Sequence, residues 1–345
     1  MQFPLFQSPG SWRKITTLDM HTEGEPLRVI MSGFPELQGE NILDYRAFVR
    51  DNWDVLRTAL MWEPRGHADM YGAVITPPVS PEADFGTFFL HNEGYSTMCG
   101  HAIIALATLA AETGLISKEE GDNPVTIDTP AGLVKAFVRV KFGEIQSAYF
   151  QNVPSYVVAL DQEVEVEGLG KIRYDLAFGG AFYAYVKAED AGVGLSGKDF
   201  RDLIDTGMRI KRAVMQSSDL VKHPFEEDLS FLYGTIFIGD PDEESMADSR
   251  NVCVFAEGEV DRSPTGTGVS GRMAIHHARG EAAVGEQMLI ESILGTQFWG
   301  SVIEETTFGG FKAIIPQVEG RAFITGKHEF LIDPRDPLGD GFILR

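Results

Sequence analysis

The sequence predicts an α+β fold of two pseudo-symmetric domains, each a mostly antiparallel sheet with a buried helix. Three observations predict it. Apolar residues recur in many short runs, several alternating with polar ones as half-buried antiparallel strands do. Two helical stretches, Cys99–Thr113 and Thr265–Gly280, are apolar and rich in small residues, so both are expected inside the molecule. Three landmarks also recur about half a chain apart. Helices opening near Asn41 and Lys198 are separated by 157 residues, Tyr71-Gly72-Ala73-Val74-Ile75 and Tyr233-Gly234-Thr235-Ile236-Phe237 by 162, and the motifs at Cys99 and Thr265 by 166. One such match is chance; three in the same order indicate two similar halves. The expected molecule has Cys99 and Thr265 facing each other across an interdomain cleft, a preferred place for a ligand.

Along the chain, strand-like runs fall at Leu27–Met31, Gly72–Ile75, Thr87–Leu90, Val125–Asp128 and Val134–Phe142, then at Phe182–Lys187, Ser230–Ile238, Val252–Phe255, Met288–Ile293 and Ala313–Ile315. Asn41–Met61 spaces Ile42, Tyr45, Phe48, Val49, Val55, Leu56 and Leu60 as one face of a helix, and Lys198–Gln216 does the same with Phe200, Leu203, Ile204, Met208, Ile210 and Val214. The domain boundaries expected are 1–157 with 332–345 for the first, and 158–331 for the second.

Composition narrows the function. The chain has 345 residues with 29 Lys and Arg against 51 Asp and Glu, a formal net charge of −22. That argues against nucleic acid and anionic membranes as partners, since both call for a basic surface. Two cysteines, Cys99 and Cys253, are too few for a disulfide scaffold or a cysteine-rich zinc site and suit a reducing compartment. The eight histidines show no convincing zinc spacing, and no metal is expected. With no signal-peptide pattern and no long apolar span, the expected location is the cytoplasm.

The chemistry concentrates at two helix openings. Asn92-Glu93-Gly94-Tyr95-Ser96-Thr97-Met98-Cys99-Gly100-His101 runs straight into an apolar helix, with Ser96 or Thr97 expected as its N-cap. Helix N-termini expose unpaired N–H groups and partial positive charge, which favour a thiolate at Cys99 and an anion beside Gly100 and His101. Spacing alone leaves open that Cys99 is only a small buried hydrophobe. The second opening is Asp261-Arg262-Ser263-Pro264-Thr265-Gly266-Thr267-Gly268-Val269-Ser270-Gly271. Its Gly266 to Gly271 stretch formally matches a dinucleotide fingerprint. The polar insertion before it and the lack of strand–helix alternation disfavour that alternative. Two facing helix N-termini could clamp one carboxylate, Asp261 could hold an ammonium, and Cys99 could take a proton from the carbon between them.

These segments, together with His21-Thr22-Glu23-Gly24-Glu25-Pro26 and Pro64-Arg65-Gly66-His67-Ala68-Asp69-Met70-Tyr71-Gly72, resemble the proline racemase family over nearly the whole chain. The resemblance implies a diaminopimelate-epimerase-like fold, each curved sheet wrapping a central helix, with the active site between domains. It implies Cys99 as base, Gly100 and His101 as substrate contacts, Asp261 as partner of the ring nitrogen, and Gly266 and Thr267 as carboxylate contacts. The family's racemases and epimerases carry a second cysteine where this chain has Thr265. A hydroxyl is too weak an acid to cycle as a thiol does. The departure therefore points to the subgroup that dehydrates trans-3-hydroxy-L-proline, with Thr265 at the substrate and no cofactor. Racemisation of proline, epimerisation of 4-hydroxyproline and plain amino-acid binding are the alternatives. The partner expected is a small imino acid; a homodimer is left open. Cys253 reads as core filler, and His67 and Asp69 as part of a fold-shaping loop.

Overall fold

The computed structural model describes residues 3–344. The first half of the chain runs β1 (Arg13–Thr22), β2 (Glu25–Ser32), α1 (Ile42–Met61), β3 (Tyr71–Thr76), β4 (Phe85–His91), β5 (Tyr95–Ser96), α2 (Gly100–Glu112), β6 (Gly121–Thr129), β7 (Gly132–Lys141) and β8 (Glu144–Gln151). After β9 (Ser155–Val166) the order repeats as β10 (Gly170–Phe178), β11 (Phe182–Lys187), the short α3 (Ala188–Ala191), α4 (Phe200–Ser217), β12 (Leu232–Gly239), β13 (Ser249–Phe255), β14 (Glu259–Val260), α5 (Gly266–Ala278), β15 (Gln287–Glu291), β16 (Gln297–Phe308) and β17 (Phe311–Gly320). The last strand is β18 (Ala322–Ile332).

Pairing repeats as faithfully as order. β1–β2 and β10–β11 are antiparallel, β2–β3 and β11–β12 parallel, β3–β4 and β12–β13 antiparallel, β4–β6 and β13–β15 parallel. β6–β7–β8 and β15–β16–β17 then continue antiparallel. The N-terminal part of β17 pairs back onto β9, which itself pairs with β10, closing the second set of strands into a ring. The far end of β17, Gln317–Gly320, pairs with β8 and joins the two sets into one barrel-like sheet. A mostly antiparallel sheet with paired parallel crossovers is incompatible with the dinucleotide alternative.

β18 pairs with β1 along its length, from Arg13 opposite Ile332 to Thr22 opposite Ala322. Sheet pairing therefore groups 322–332 with the first set of strands, whereas the sequence reading ended the second unit at 331. The chain crosses over after β17, a long-range pairing that local pattern does not carry.

Helices α2 and α5 are buried from Gly100 to Ala111 and from Gly266 to His276. Their small residues let strands approach on every side, which an amphipathic helix could not tolerate. Helices α1 and α4 instead bury one face each; α4 does so through Leu203, Met208, Ile210 and Val214. No described helix is long and apolar enough to cross a membrane. The N-cap of α2 is Cys99 itself, with φ −147° and ψ 105°, rather than Ser96 or Thr97. The reason is β5: Ser96 pairs with Phe89 and is held extended, so the helix cannot begin there.

Candidate active site

The two buried helices begin against each other. A Cβ placed on Gly100 would lie 2.9 Å from the Cα of Gly266, and one placed on Gly266 would lie 2.9 Å from the Cα of Gly100. Only glycine at both positions permits this approach. Each helix is N-capped by the residue singled out in the sequence, Cys99 for α2 and Thr265 for α5. The first helical hydrogen bonds run from Ile103 to the carbonyl of Cys99 and from Val269 to that of Thr265. The N–H groups of Gly100, His101, Gly266 and Thr267 stand outside those ladders, so four donors and two positive helix ends converge.

Cys99 is buried, and its Sγ lies 3.2 Å from Nδ1 and 3.8 Å from Nε2 of His101. The backbone N–H of Ala102 and the hydroxyl of Tyr71 act on this sulfur in favour of its thiolate. Burial outweighs them and, with the carboxylates of Asp261 and Glu25, pushes the thiol well above its ordinary value. The helix end alone therefore does not ionise Cys99, contrary to the local reading. His101 is pulled down to about 4 by burial, so its imidazole is neutral at pH 7; Asp261 and a hydrogen bond to the Pro26 carbonyl oppose the shift only partly. With one ring nitrogen donating to Pro26, the other can accept the Cys99 S–H.

Asp261 enters from the other half. It is buried, and its Oδ1 accepts from the Ser263 N–H at 2.7 Å. The loop that carries it is tied to the first half twice. The Arg262 N–H donates to Oε2 of Glu25 at 2.7 Å, and the Arg262 guanidinium pairs with Asp69. Asp69 thus fastens the Asp261 loop across the molecule. The hydroxyl of Thr22 likewise donates to the His101 carbonyl at 2.8 Å, so the His21–Pro26 segment braces the start of α2.

Thr265 is held at φ 70°, a left-handed conformation that a β-branched residue rarely adopts. Its Oγ1 is buried without a hydrogen-bonding nitrogen or oxygen partner. Cys253 is fully buried in the apolar core, as its sequence context indicated, and burial, followed by the charge of Asp261, pushes its thiol up.

Beside these groups is a cavity of about 210 Å³ whose wall includes Ser96, Met98, Phe178, Tyr183, Tyr233 and Thr267. Of the catalytic and substrate-contact residues expected from the sequence, Thr267 alone lines it; its hydroxyl is hydrogen-bonded to Tyr183 at 2.7 Å. Three participants escaped the sequence reading. Glu25 is buried, with Oε1 unpartnered, and burial followed by Asp261 raises its carboxyl well above the usual range. Tyr71 and Tyr233 lie near Cys99, and the Tyr71 hydroxyl is hydrogen-bonded to Oγ of Ser96 at 2.5 Å. These tyrosines are equivalent members of the duplicated Tyr-Gly motif, which was the signal available for finding them.

The fold is thus a mostly antiparallel, duplicated sheet with a thiol at one of two abutting helix starts. The chain belongs to the proline racemase family, which it matches over residues 17–343. It is 48% identical to a protein of Colwellia psychrerythraea named trans-3-hydroxy-L-proline dehydratase, over 97% of this chain and 94% of that one. It is 44% identical to a protein of Burkholderia multivorans named 3-hydroxyproline 2-epimerase, over 96% of this chain and 99% of that one. A hydroxyproline epimerase from Agrobacterium vitis with bound trans-4-hydroxy-L-proline superposes with a TM-score of 0.88 at 34% identity, covering 96% of both chains.

Proposed function

We propose that this chain removes water from trans-3-hydroxy-L-proline, giving Δ2-pyrroline-2-carboxylate, which tautomerises to Δ1-pyrroline-2-carboxylate. The observation that carries the reading is the unequal pair of caps: a thiol at the start of α2 and a hydroxyl at the start of α5. A two-base exchange of the C2 proton calls for an acid of comparable strength on each face, and Thr265 does not supply one.

The substrate would sit between the two halves, its carboxylate on the N–H groups of Gly100, His101, Gly266 and Thr267 and its ring ammonium at Asp261. That ammonium offsets the nearby carboxylates that now raise Cys99, which favours the thiolate. In the trans-3-hydroxy isomer the C2 hydrogen and the 3-hydroxyl share a face. Cys99 thiolate takes the C2 proton, the C2–H electrons form the C2=C3 bond, and the C3–O bond breaks. The same thiol returns its proton to the departing hydroxyl, so water leaves and the thiolate is restored. The N–H donors stabilise the negative charge that develops toward the carboxylate as the proton leaves. Thr265 shapes the opposite side of the pocket.

A second reading, epimerisation at C2, is favoured by the name of the Burkholderia relative. One experiment separates the two. Purified protein is incubated without added cofactor with trans-3-hydroxy-L-proline, trans-4-hydroxy-L-proline and L-proline. Imine is trapped with o-aminobenzaldehyde and optical rotation is followed. Imine from the 3-hydroxy compound is the expected result. Rotation changes without imine would overturn the dehydratase reading in favour of the epimerase.

A further inference from the structure

A second cavity, of about 300 Å³, lies against α5 away from Cys99. Its wall carries Arg173, Lys187, Arg272, His276 and Arg279, a concentration of basic side chains in a chain of net charge −22. Asp161, Asp175, Asp190 and Glu281 line it too, but most are already engaged. Arg279 pairs with Asp161 at 3.2 Å and with Asp175 at 2.8 Å, and His276 bonds Glu281 at 2.7 Å. Arg272 has no acidic hydrogen-bond partner. Its Nε donates to Nε2 of His276 at 2.8 Å and its Nη2 to Oγ of Ser249 at 3.3 Å, while the buried Nη1 has no partner. The residue is 7% exposed, and burial pulls its guanidinium down to about 10. Glu281 and Asp175 act on it only through their charge, without a hydrogen bond; a buried cation with no directly bonded anion is costly, and a guanidinium fork suits two oxygens of one acid group.

We propose that this cavity binds a small oxyanion, a phosphate or a carboxylate, anchored by Arg272 and flanked by Arg173 and Lys187. The site is separate from the carboxylate donors at the helix starts. Arg272 is six residues beyond Gly266 (272 − 266 = 6), or about 9 Å along the helix axis. The two sites share α5, because Tyr185 lines the cavity and donates to the Gly268 carbonyl at 2.8 Å in the first turn.

Isothermal titration of the full-length protein in chloride buffer tests this, with inorganic phosphate in one arm and acetate in the other. Saturable binding of either is expected, the tighter arm identifying the acid group. Arg272→Met should weaken it by roughly tenfold or more, the loss expected for a charge-assisted hydrogen-bond pair. No saturation in either arm, or binding unchanged in a folded Arg272→Met protein, overturns the site; the latter would place the anion at the helix starts. If Arg272→Met does not fold, the double variant Arg173→Ala, Lys187→Ala replaces it. Both residues are exposed, so folding should survive, and unchanged affinity there also overturns the proposal.

Discussion

Replacing Gly266 with alanine tests whether the contact between helix starts sets activity. The new Cβ would lie 2.9 Å from Cα and 3.2 Å from C of Gly100, and 3.5 Å from N of His101. Ordinary contact begins near 3.4 Å, so the helices must part by at least 3.4 − 2.9 = 0.5 Å. All three atoms are backbone, and no rotamer change can relieve them. Such overpacking costs about 1–3 kcal/mol, offset by at most about 1 kcal/mol from alanine's better helix propensity. A net loss of that size lowers Tm by only a few degrees in a chain this long. The catalytic loss should be larger. Donors from both helices must meet one carboxylate within about 0.5 Å, and a misplacement of about 1 Å costs on the order of 100-fold. The expectation is a folded protein with kcat/KM for trans-3-hydroxy-L-proline reduced by roughly 10- to 100-fold. Gly94→Ala is the control, because a Cβ there meets nothing within 4 Å. A folded Gly266→Ala enzyme within about twofold of wild type, or an equal loss in the control, refutes the clamp.

Three further outcomes are expected. Cys99→Ser should abolish imine formation while the circular dichroism spectrum and melting curve survive; retained turnover would remove Cys99 as the base. Thr265→Cys should introduce slow deuterium incorporation at C2 with inversion, followed by NMR in heavy water, and no inversion would mean that the second thiol is not the missing part. Glu25→Gln tests the buried acid through pH. The Glu25 carboxyl is raised above its ordinary 4.5, chiefly by burial, so the folded state holds the proton more tightly. Its contribution to stability is full below about pH 4.5 and is lost as pH rises toward the folded value. The glutamine variant has no such loss, so its Tm should gain on wild type as pH rises above about 4.5; a difference that stays constant with rising pH sinks the reading.

Much of the architecture was legible because it rests on local pattern. The small apolar residues of Cys99–Thr113 and Thr265–Gly280 announced buried helices, and these form as Gly100–Glu112 and Gly266–Ala278. Phe182–Lys187, with its aromatic and β-branched residues, is a strand to the residue. Other strands were silent. β16 and β18 expose much of their length, and polar positions such as Glu304, Glu305 and Lys327 break the alternation that marks a strand. β9 is half-exposed and acidic for the same reason. Their pairing comes from partners distant in sequence: β18 meets β1 across roughly 300 residues. Asp69 shows the same limit at the site. Its motif was visible, but its ion pair with Arg262 exists only once the halves meet.

By itself the sequence determined which groups stand at the two helix openings. It set a thiol at 99, a hydroxyl at 265, and glycines beside both. Those are properties of residue identity and short-range helix signals, and the chain's repeat was readable in the spacing of the same landmarks. The tertiary structure decided what those groups are. It brought Gly100 against Gly266, set Glu25 beside Asp261, and buried Cys99 so that its thiol is pushed up where the helix end alone argued for a thiolate. The physical reason is range. A helix end acts over one turn, whereas desolvation sums over every atom packed around the sulfur, and most of those atoms are remote in sequence.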